Sequence, residues 1–218
     1  MPELHAVVFD LDGLVFNTED VFIEATNRFL APLGKTYTEE LRARMMGQPS
    51  GVSTSILRES LGLTKSVSEI RSEIDKHFRM VMDQIIAYMP GFETLILRLT
   101  SELIPCGICT SSSKLYATDL LSRFGILNNF QTIVGGDDVL HGKPAPDAYL
   151  LIAERLGLSP SNMMVLEDSA NGCRAAFASG AFTVAVPGRH TLGQTYESVD
   201  LTANTLGDPR ILQALGLD

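Results

Sequence analysis

Short apolar runs that stop at polar clusters, with helical stretches between them, constrain this chain more than any other feature. Residues 4–9 (LHAVVF) are apolar and partly β-branched, and the run ends at Asp10. Such a run reads as a strand buried on both faces. Similar runs recur at 106–110 (CGICT), 131–134 (QTIV), 162–166 (NMMVL) and 182–186 (FTVAV). Between them, Phe92, Leu95, Ile96, Leu99 and Leu103 lie at helical spacing, and residues 113–124, 145–156 and 170–179 behave likewise. Strand alternating with helix predicts an α/β fold, a doubly wound parallel sheet covered by helices on both faces.

One stretch interrupts this alternation. From about 17 to 88 no strand is expected; Val21, Phe22, Ala25, Phe29, Leu30 and Leu33 sit at helical spacing. Further helical patterns follow near 38–46, 53–61 and 67–87, punctuated by Gly34, Gly47, Pro49, Gly51 and Gly62. The expectation is a main domain of residues 1–16 and 89–218, with a helical bundle of residues 17–88 inserted after the first strand. Pro90-Gly91 marks the return.

The chain has 218 residues, of which 45% are hydrophobic, enough for one substantial core plus a smaller one. No apolar run approaches the roughly 18 residues that cross a bilayer, and no basic leader precedes the first strand. The reading is a cytoplasmic protein, a monomer or weak homo-oligomer. A formal net charge of −9 argues against nucleic acid or an anionic membrane as partner. It leaves a small anionic substrate open, because a metal ion and a lysine can reverse the field within one cleft. Cys106 and Cys109 form a Cys-X-X-Cys inside a strand-like run, which favours two buried small residues over a redox or metal pair. The four histidines, His5, His77, His141 and His190, have no ligand spacing. His141 is read as a solvated loop residue.

Four polar clusters carry the chemistry. The first strand ends in Asp10-Leu11-Asp12-Gly13. Alone, this is as compatible with a turn as with a site, since Asp-Gly favours turns. As a site, it sends two carboxylates into the crevice where open α/β sheets bind ligands. One could serve as nucleophile and metal ligand, the other as general acid and base. Thr110-Ser111-Ser112-Ser113-Lys114 could simply cap the next helix; its hydroxyls and helix-start N–H groups could also hold phosphate oxygens. In Gly142-Lys143-Pro144-Ala145-Pro146-Asp147 the prolines stiffen the chain and start a helix, which would hold the Lys143 ammonium in place as a point charge. Glu167-Asp168-Ser169-Ala170-Asn171-Gly172 could cap a helix or could supply carboxylates for Mg²⁺. Each cluster has an ordinary explanation. Together they contain what metal-assisted phosphoryl transfer to a carboxylate requires.

As a set, VVFDLDGL, ICTSSS, HGKPAPD and VLEDSANG resemble the four motifs of the haloacid dehalogenase (HAD) superfamily of aspartate-nucleophile phosphatases. The resemblance covers nearly the whole chain. It implies a Rossmann-like core, and the 17–88 insertion resembles the small helical C1-type cap of the branch that contains β-phosphoglucomutase and several sugar-phosphate phosphatases. MMGQPSG resembles a segment of that cap. The resemblance also implies roles. Asp10 attacks phosphorus, and Asp12 protonates the leaving oxygen and then deprotonates water. Ser111, with Ser112 beside it, binds the phosphoryl group, and Lys143 neutralises charge. Mg²⁺ is held by Asp10, the Asp12 carbonyl and Asp168, with Glu167 supporting it directly or through water. Arg44, Gly47, Gln48 and Ser50 are the candidates for leaving-group selectivity. Asn17 departs from the aspartate found in many relatives.

The expected activity is Mg²⁺-dependent hydrolysis of a small phosphorylated metabolite through an aspartyl phosphate. A phosphosugar mutase like β-phosphoglucomutase is an alternative, although Ser50 stands where such mutases carry a cap arginine. A non-catalytic binding protein is a third reading, weakened because no essential motif residue is missing.

Overall fold

A computed structural model of the protein describes residues 3–45 and 50–217, the side chain of Ser50 excepted. In chain order, β1 (Ala6–Phe9) is followed by four helices, α1 (Thr18–Leu30), α2 (Glu39–Met45), α3 (Ser50–Leu61) and α4 (Val67–Ile85). Strands and helices then alternate: α5 (Phe92–Ser101), β2 (Cys106–Cys109), α6 (Lys114–Arg123), β3 (Thr132–Val134), α7 (Asp147–Leu156), β4 (Met163–Glu167), α8 (Ala170–Ser179), β5 (Phe182–Ala185), β6 (Leu201–Thr202) and α9 (Pro209–Ala214). The chain divides into two compact units, one of Met1–Phe16 and Tyr88–Asp218 and one of Asn17–Ala87.

The first unit is built on a six-stranded sheet of order β3-β2-β1-β4-β5-β6, with every pairing parallel. Alternation along β1 shows why both faces must be covered. Ala6 and Val8 join a core with Tyr149, Ile152 and Ala153 of α7 and Ala175 and Ala176 of α8. Phe9 points the other way, edge-on to Phe92 of α5 at 5.9 Å and to Phe130 at 6.1 Å between ring centres. A valine, isoleucine or phenylalanine side chain taken fully out of water contributes about 1.5–3 kcal/mol, and an alanine methyl less. This is the doubly wound α/β fold, and the short apolar runs are its strands. Tyr88 falls with this unit, stacked on Phe16 with ring centres 5.2 Å apart.

Two elements, β6 and α9, lie outside the sequence-based expectation. β6 has two residues, too few to show a period, and it pairs at the sheet edge through Val184 and Ala185. α9 begins with Asp208 as N-cap and Pro209 in its first turn, a start signal that was present in the sequence.

The second unit is entirely helical among its described residues. Phe29, Leu30, Tyr37, Leu41, Met45, Leu57, Ile70 and Ile74 form its core, drawing on all four helices and the turn after α1. The start of α4 is closed by a capping box: Ser66 Oγ accepts the Glu69 N–H, and the Glu69 carboxylate accepts the Ser66 N–H. No helix among the described residues is long and apolar enough to cross a membrane.

Candidate active site

β1 lies at the point where the sheet order reverses: the chain fills β2 and β3 on one side of it, then β4, β5 and β6 on the other. Ligands bind α/β sheets at the strands' carboxyl ends beside such a point. Asp10 follows β1 directly, its N–H donating to the Leu166 carbonyl of β4 at 3.0 Å. Thr110 follows β2, Glu167 ends β4 and Asp168 follows it. Three adjacent strands therefore deliver these side chains to one place, and Lys143 reaches it from the loop before α7.

Lys143 is the hub. Its ammonium donates to Asp10 Oδ1 at 2.6 Å, Glu167 Oε1 at 2.6 Å and the Cys109 carbonyl at 2.8 Å, with its side chain only 6% exposed. It also sits 5.1 Å above the Tyr149 ring, a cation–π contact. Burial alone would lower its pKa, but the Asp10 and Glu167 carboxylates outweigh that and hold it well above the ordinary lysine value. Tyr149, fully buried, donates its phenol O–H to Glu167 Oε1 at 2.5 Å, and Ser169 Oγ donates to Oε2 at 3.3 Å. Burial, and then the Glu167 charge, push the Tyr149 phenol well up, so it stays a donor.

Burial pushes the Asp10 carboxyl up to about 8; Lys143 opposes the rise, while Glu167 and Asp12 add to it. Three buried acids, Asp10, Glu167 and Asp168, thus gather at a site whose hub is a single ammonium.

Asp12 has different company. Its Oδ2 accepts O–H donors from Ser112 at 2.7 Å and Thr110 at 3.2 Å, and its Oδ1 accepts one from Tyr116 at 3.3 Å. No cation touches its carboxylate among the described residues. The two aspartates are close in sequence, yet one is paired with an ammonium and the other with hydroxyls.

The acids are grouped closely enough to share a cation. Asp10, Glu167 and Asp168 are all buried, and one carboxylate oxygen of each lies within 4.8 Å of the others. Buried carboxylates need compensation, and an all-oxygen donor set suits a hard divalent ion such as Mg²⁺. Gly13 keeps the site open: its φ of +84° favours glycine, and a Cβ there would come within 2.7 Å of Asp168 Oδ2. Gly172, in the first turn of α8, does the same for Glu167, since a Cβ would lie 2.0 Å from its carboxyl carbon. The donor set therefore fits Mg²⁺.

The remaining predicted residues fall as follows. Ser111 is exposed in the loop after β2 and is not hydrogen-bonded to Asp10 or Asp12. Ser113 caps α6 by accepting the Tyr116 N–H, and Ser169 caps α8 by accepting the Gly172 N–H. Arg44 is exposed on α2 and donates to Ser60 Oγ at 3.1 Å. Gly47 and Gln48 lie outside the described residues, as does the Ser50 side chain. Asn17 spans two strands of chain within the helical unit: Oδ1 accepts the Ala87 N–H at 2.7 Å and Nδ2 donates to the Ile85 carbonyl at 3.2 Å. An aspartate could not make the second bond. Cys106 and Cys109 are free, buried and on opposite faces of β2, and burial pushes both thiols up to about 12, which suits packing and not redox work. His141 is exposed, its Nδ1 3.0 Å from Asp147 Oδ1.

Tyr116 and Tyr149 were not singled out from the sequence, and Gly172, which closes the fourth cluster, had no role of its own there. Nothing in the neighbourhood of either tyrosine separates it from an ordinary helix residue, because its partner is far away in the chain.

Comparison with known proteins gives the same direction. The family model for haloacid dehalogenase-like hydrolases matches residues 7–186. The phosphorylated carbohydrates phosphatase of Thermotoga maritima is 34% identical over 177 residues, covering 81% of this chain and 82% of its own. The phosphoglycolate phosphatase of Shigella boydii is 27% identical, covering 99% of this chain and 94% of its own. Among solved structures, CbbY of Rhodobacter sphaeroides in complex with phosphate superposes with a TM-score of 0.78 at 27% identity, covering 94% of this chain and 95% of that one.

Proposed function

The chain belongs to the haloacid dehalogenase-like hydrolases, and from that membership we propose that it is a Mg²⁺-dependent phosphomonoesterase working through an aspartyl phosphate on Asp10. Its substrate class is a small phosphorylated metabolite, a sugar phosphate, nucleotide or similar, in keeping with the phosphatases it resembles. The observation that carries the reading is the contrast between Asp10, paired with Lys143, and Asp12, held by hydroxyls.

A nucleophile must offer a lone pair and never needs a proton. Asp10 suits that task, with Lys143 countering the repulsion between its carboxylate and an arriving phosphate. Its free oxygen attacks phosphorus as the bond to the leaving oxygen breaks, the electron pair departing with that oxygen. Asp12, as the carboxylic acid, gives the leaving oxygen its proton, and as the carboxylate takes one from the water that cleaves the aspartyl phosphate. Ser111 is assigned to the phosphoryl oxygens; the hydroxyl of Ser112, the other candidate, is already donated to Asp12 Oδ2 at 2.7 Å. Mg²⁺ would be held by Asp10, Asp168 and the Asp12 carbonyl, with Glu167 in support, and when bound it supplies the charge compensation that a single lysine does not. Residues 17–88 are assigned the role of a cap, and within them Arg44, Gly47, Gln48 and Ser50 the selection of the leaving group.

The test is a phosphate-release screen over sugar phosphates, nucleotides and phosphoglycolate, with Mg²⁺ and with EDTA. Release is expected only with the metal, and none from Asp10→Asn. Turnover by Asp10→Asn near the wild-type rate would overturn the nucleophile assignment.

A further inference from the structure

Tyr116 has no part in the reaction as just described, yet its phenol reaches Asp12. The sequence leads it there in steps. β2 ends at Cys109, and the loop that follows brings Ser113 to the N-cap of α6, where its Oγ accepts the Tyr116 N–H at 3.3 Å. That cap sets the first turn of α6, on which Tyr116 stands half-buried with its O–H 3.3 Å from Asp12 Oδ1. Thr110 and Ser112, from the same stretch, both bond the other oxygen, Oδ2. Thr110 Oγ1 in turn accepts the Ser112 N–H at 3.0 Å, so the pair that grips Oδ2 is itself cross-braced.

The carboxylate is therefore held unequally. Among the described residues Oδ2 carries two donors, one of them short at 2.7 Å, whereas Oδ1 carries only the longer bond from Tyr116. Oδ2 is the anchor and Oδ1 is the oxygen with capacity left for a leaving group or a water. The partner chosen for Oδ1 suits an oxygen that gains and loses a proton. A phenol can donate to a carboxylate and, by rotating its O–H, accept from a carboxylic acid. A lysine or arginine in its place could only donate.

We propose that Tyr116 is a positioning residue for Asp12, orienting Oδ1, the oxygen that exchanges the proton, in both protonation states. The inference rests on the acid–base role of Asp12 proposed above and adds to it the atom that carries the proton and the residue that aims it. Proton delivery matters most when the leaving alkoxide is a poor one and hardly at all when it is a stabilised phenolate. Loss of Tyr116 should therefore be felt through the leaving group.

The experiment compares the wild type, Tyr116→Phe and Asp12→Asn on glycerol 2-phosphate and on p-nitrophenyl phosphate at saturating Mg²⁺. Tyr116→Phe removes one oxygen and keeps the ring, and circular dichroism and thermal melting verify that it folds as the wild type does. It is expected to lose about tenfold in kcat/KM on the alkyl ester, in line with one hydrogen bond to a charged group, with kcat/KM for p-nitrophenyl phosphate within about twofold of the wild type; kcat/KM reports the transfer to Asp10 alone, without the water step that both esters share. Asp12→Asn should show the same selectivity, larger in size. Wild-type kcat/KM for Tyr116→Phe on both esters, or an equal loss of kcat/KM on both, would overturn the positioning role while Asp12→Asn kept its leaving-group dependence. An equal loss of kcat/KM on both esters for Asp12→Asn would instead strike at the acid role of Asp12 itself.

Discussion

What a carboxylate can do depends on what surrounds it, and Asp10 and Asp12 illustrate this within one strand end. Asp10 is buried beside an ammonium, and Asp12 lies among three hydroxyls supplied by the chain that follows β2. Glycines matter as much as the acids at this scale. Gly172 lies in a helix, where alanine is intrinsically favoured by about 1 kcal/mol. Here a Cβ would collide with the Glu167 carboxyl group, which is completely buried and bonded to Lys143 and Tyr149. Overpacking of this kind outweighs propensity. Gly172→Ala is accordingly expected to destabilise the protein by about 2 kcal/mol, read as a lower denaturation midpoint in urea. A midpoint equal to or above that of the wild type would mean that Glu167 can move aside freely.

At the scale of elements, local signals and tertiary context divide the work. The capping box of α4 and the Asp208-Pro209 start of α9 are written in adjacent residues. β6 exists because β5 offers it an edge. The start of α9 also predicts an acid response. Hydrogen bonds from the Arg210 side chain, aided by backbone N–H groups and opposed by burial, lower the Asp208 carboxyl to about 2. A carboxyl whose pKa is lower in the folded state stabilises the protein above its unfolded value of 3.8, and that contribution disappears as pH falls through about 2. Between about pH 4 and pH 2 the wild type should therefore lose stability more steeply than Asp208→Asn. Denaturation profiles across that range measure it; parallel profiles would show that the Arg210 bonds do not persist in solution.

For the whole molecule, charge is the organising quantity. The chain carries a formal net charge of −9, and it gathers buried acids at the centre of its sheet. A cation that binds there and not to the unfolded chain must stabilise the fold, by about 2.7 kcal/mol at a hundredfold excess over its dissociation constant. Thermal melting should thus shift upward in Mg²⁺ relative to EDTA, and Asp168→Asn should abolish most of the shift. The same shift in wild type and variant would place the ion elsewhere. This readout is independent of turnover and separates metal binding from chemistry.

The fold class was legible because it depends on period and composition: runs such as LHAVVF and NMMVL are apolar enough to demand burial on both faces, and the helical stretches between them supply the cover. The four polar clusters could likewise be found in the sequence, since strand ends and helix starts have local signatures. What surrounds each acid could not. The bonds of Lys143 to Asp10 and Glu167, of Tyr149 to Glu167 and of Tyr116 to Asp12 join residues 18 to 133 positions apart. Pairings at such separations leave no periodic trace. Only the closing of the sheet brings the partners together, and in a low-dielectric interior those partners decide which acid is matched with a cation and which with hydroxyls.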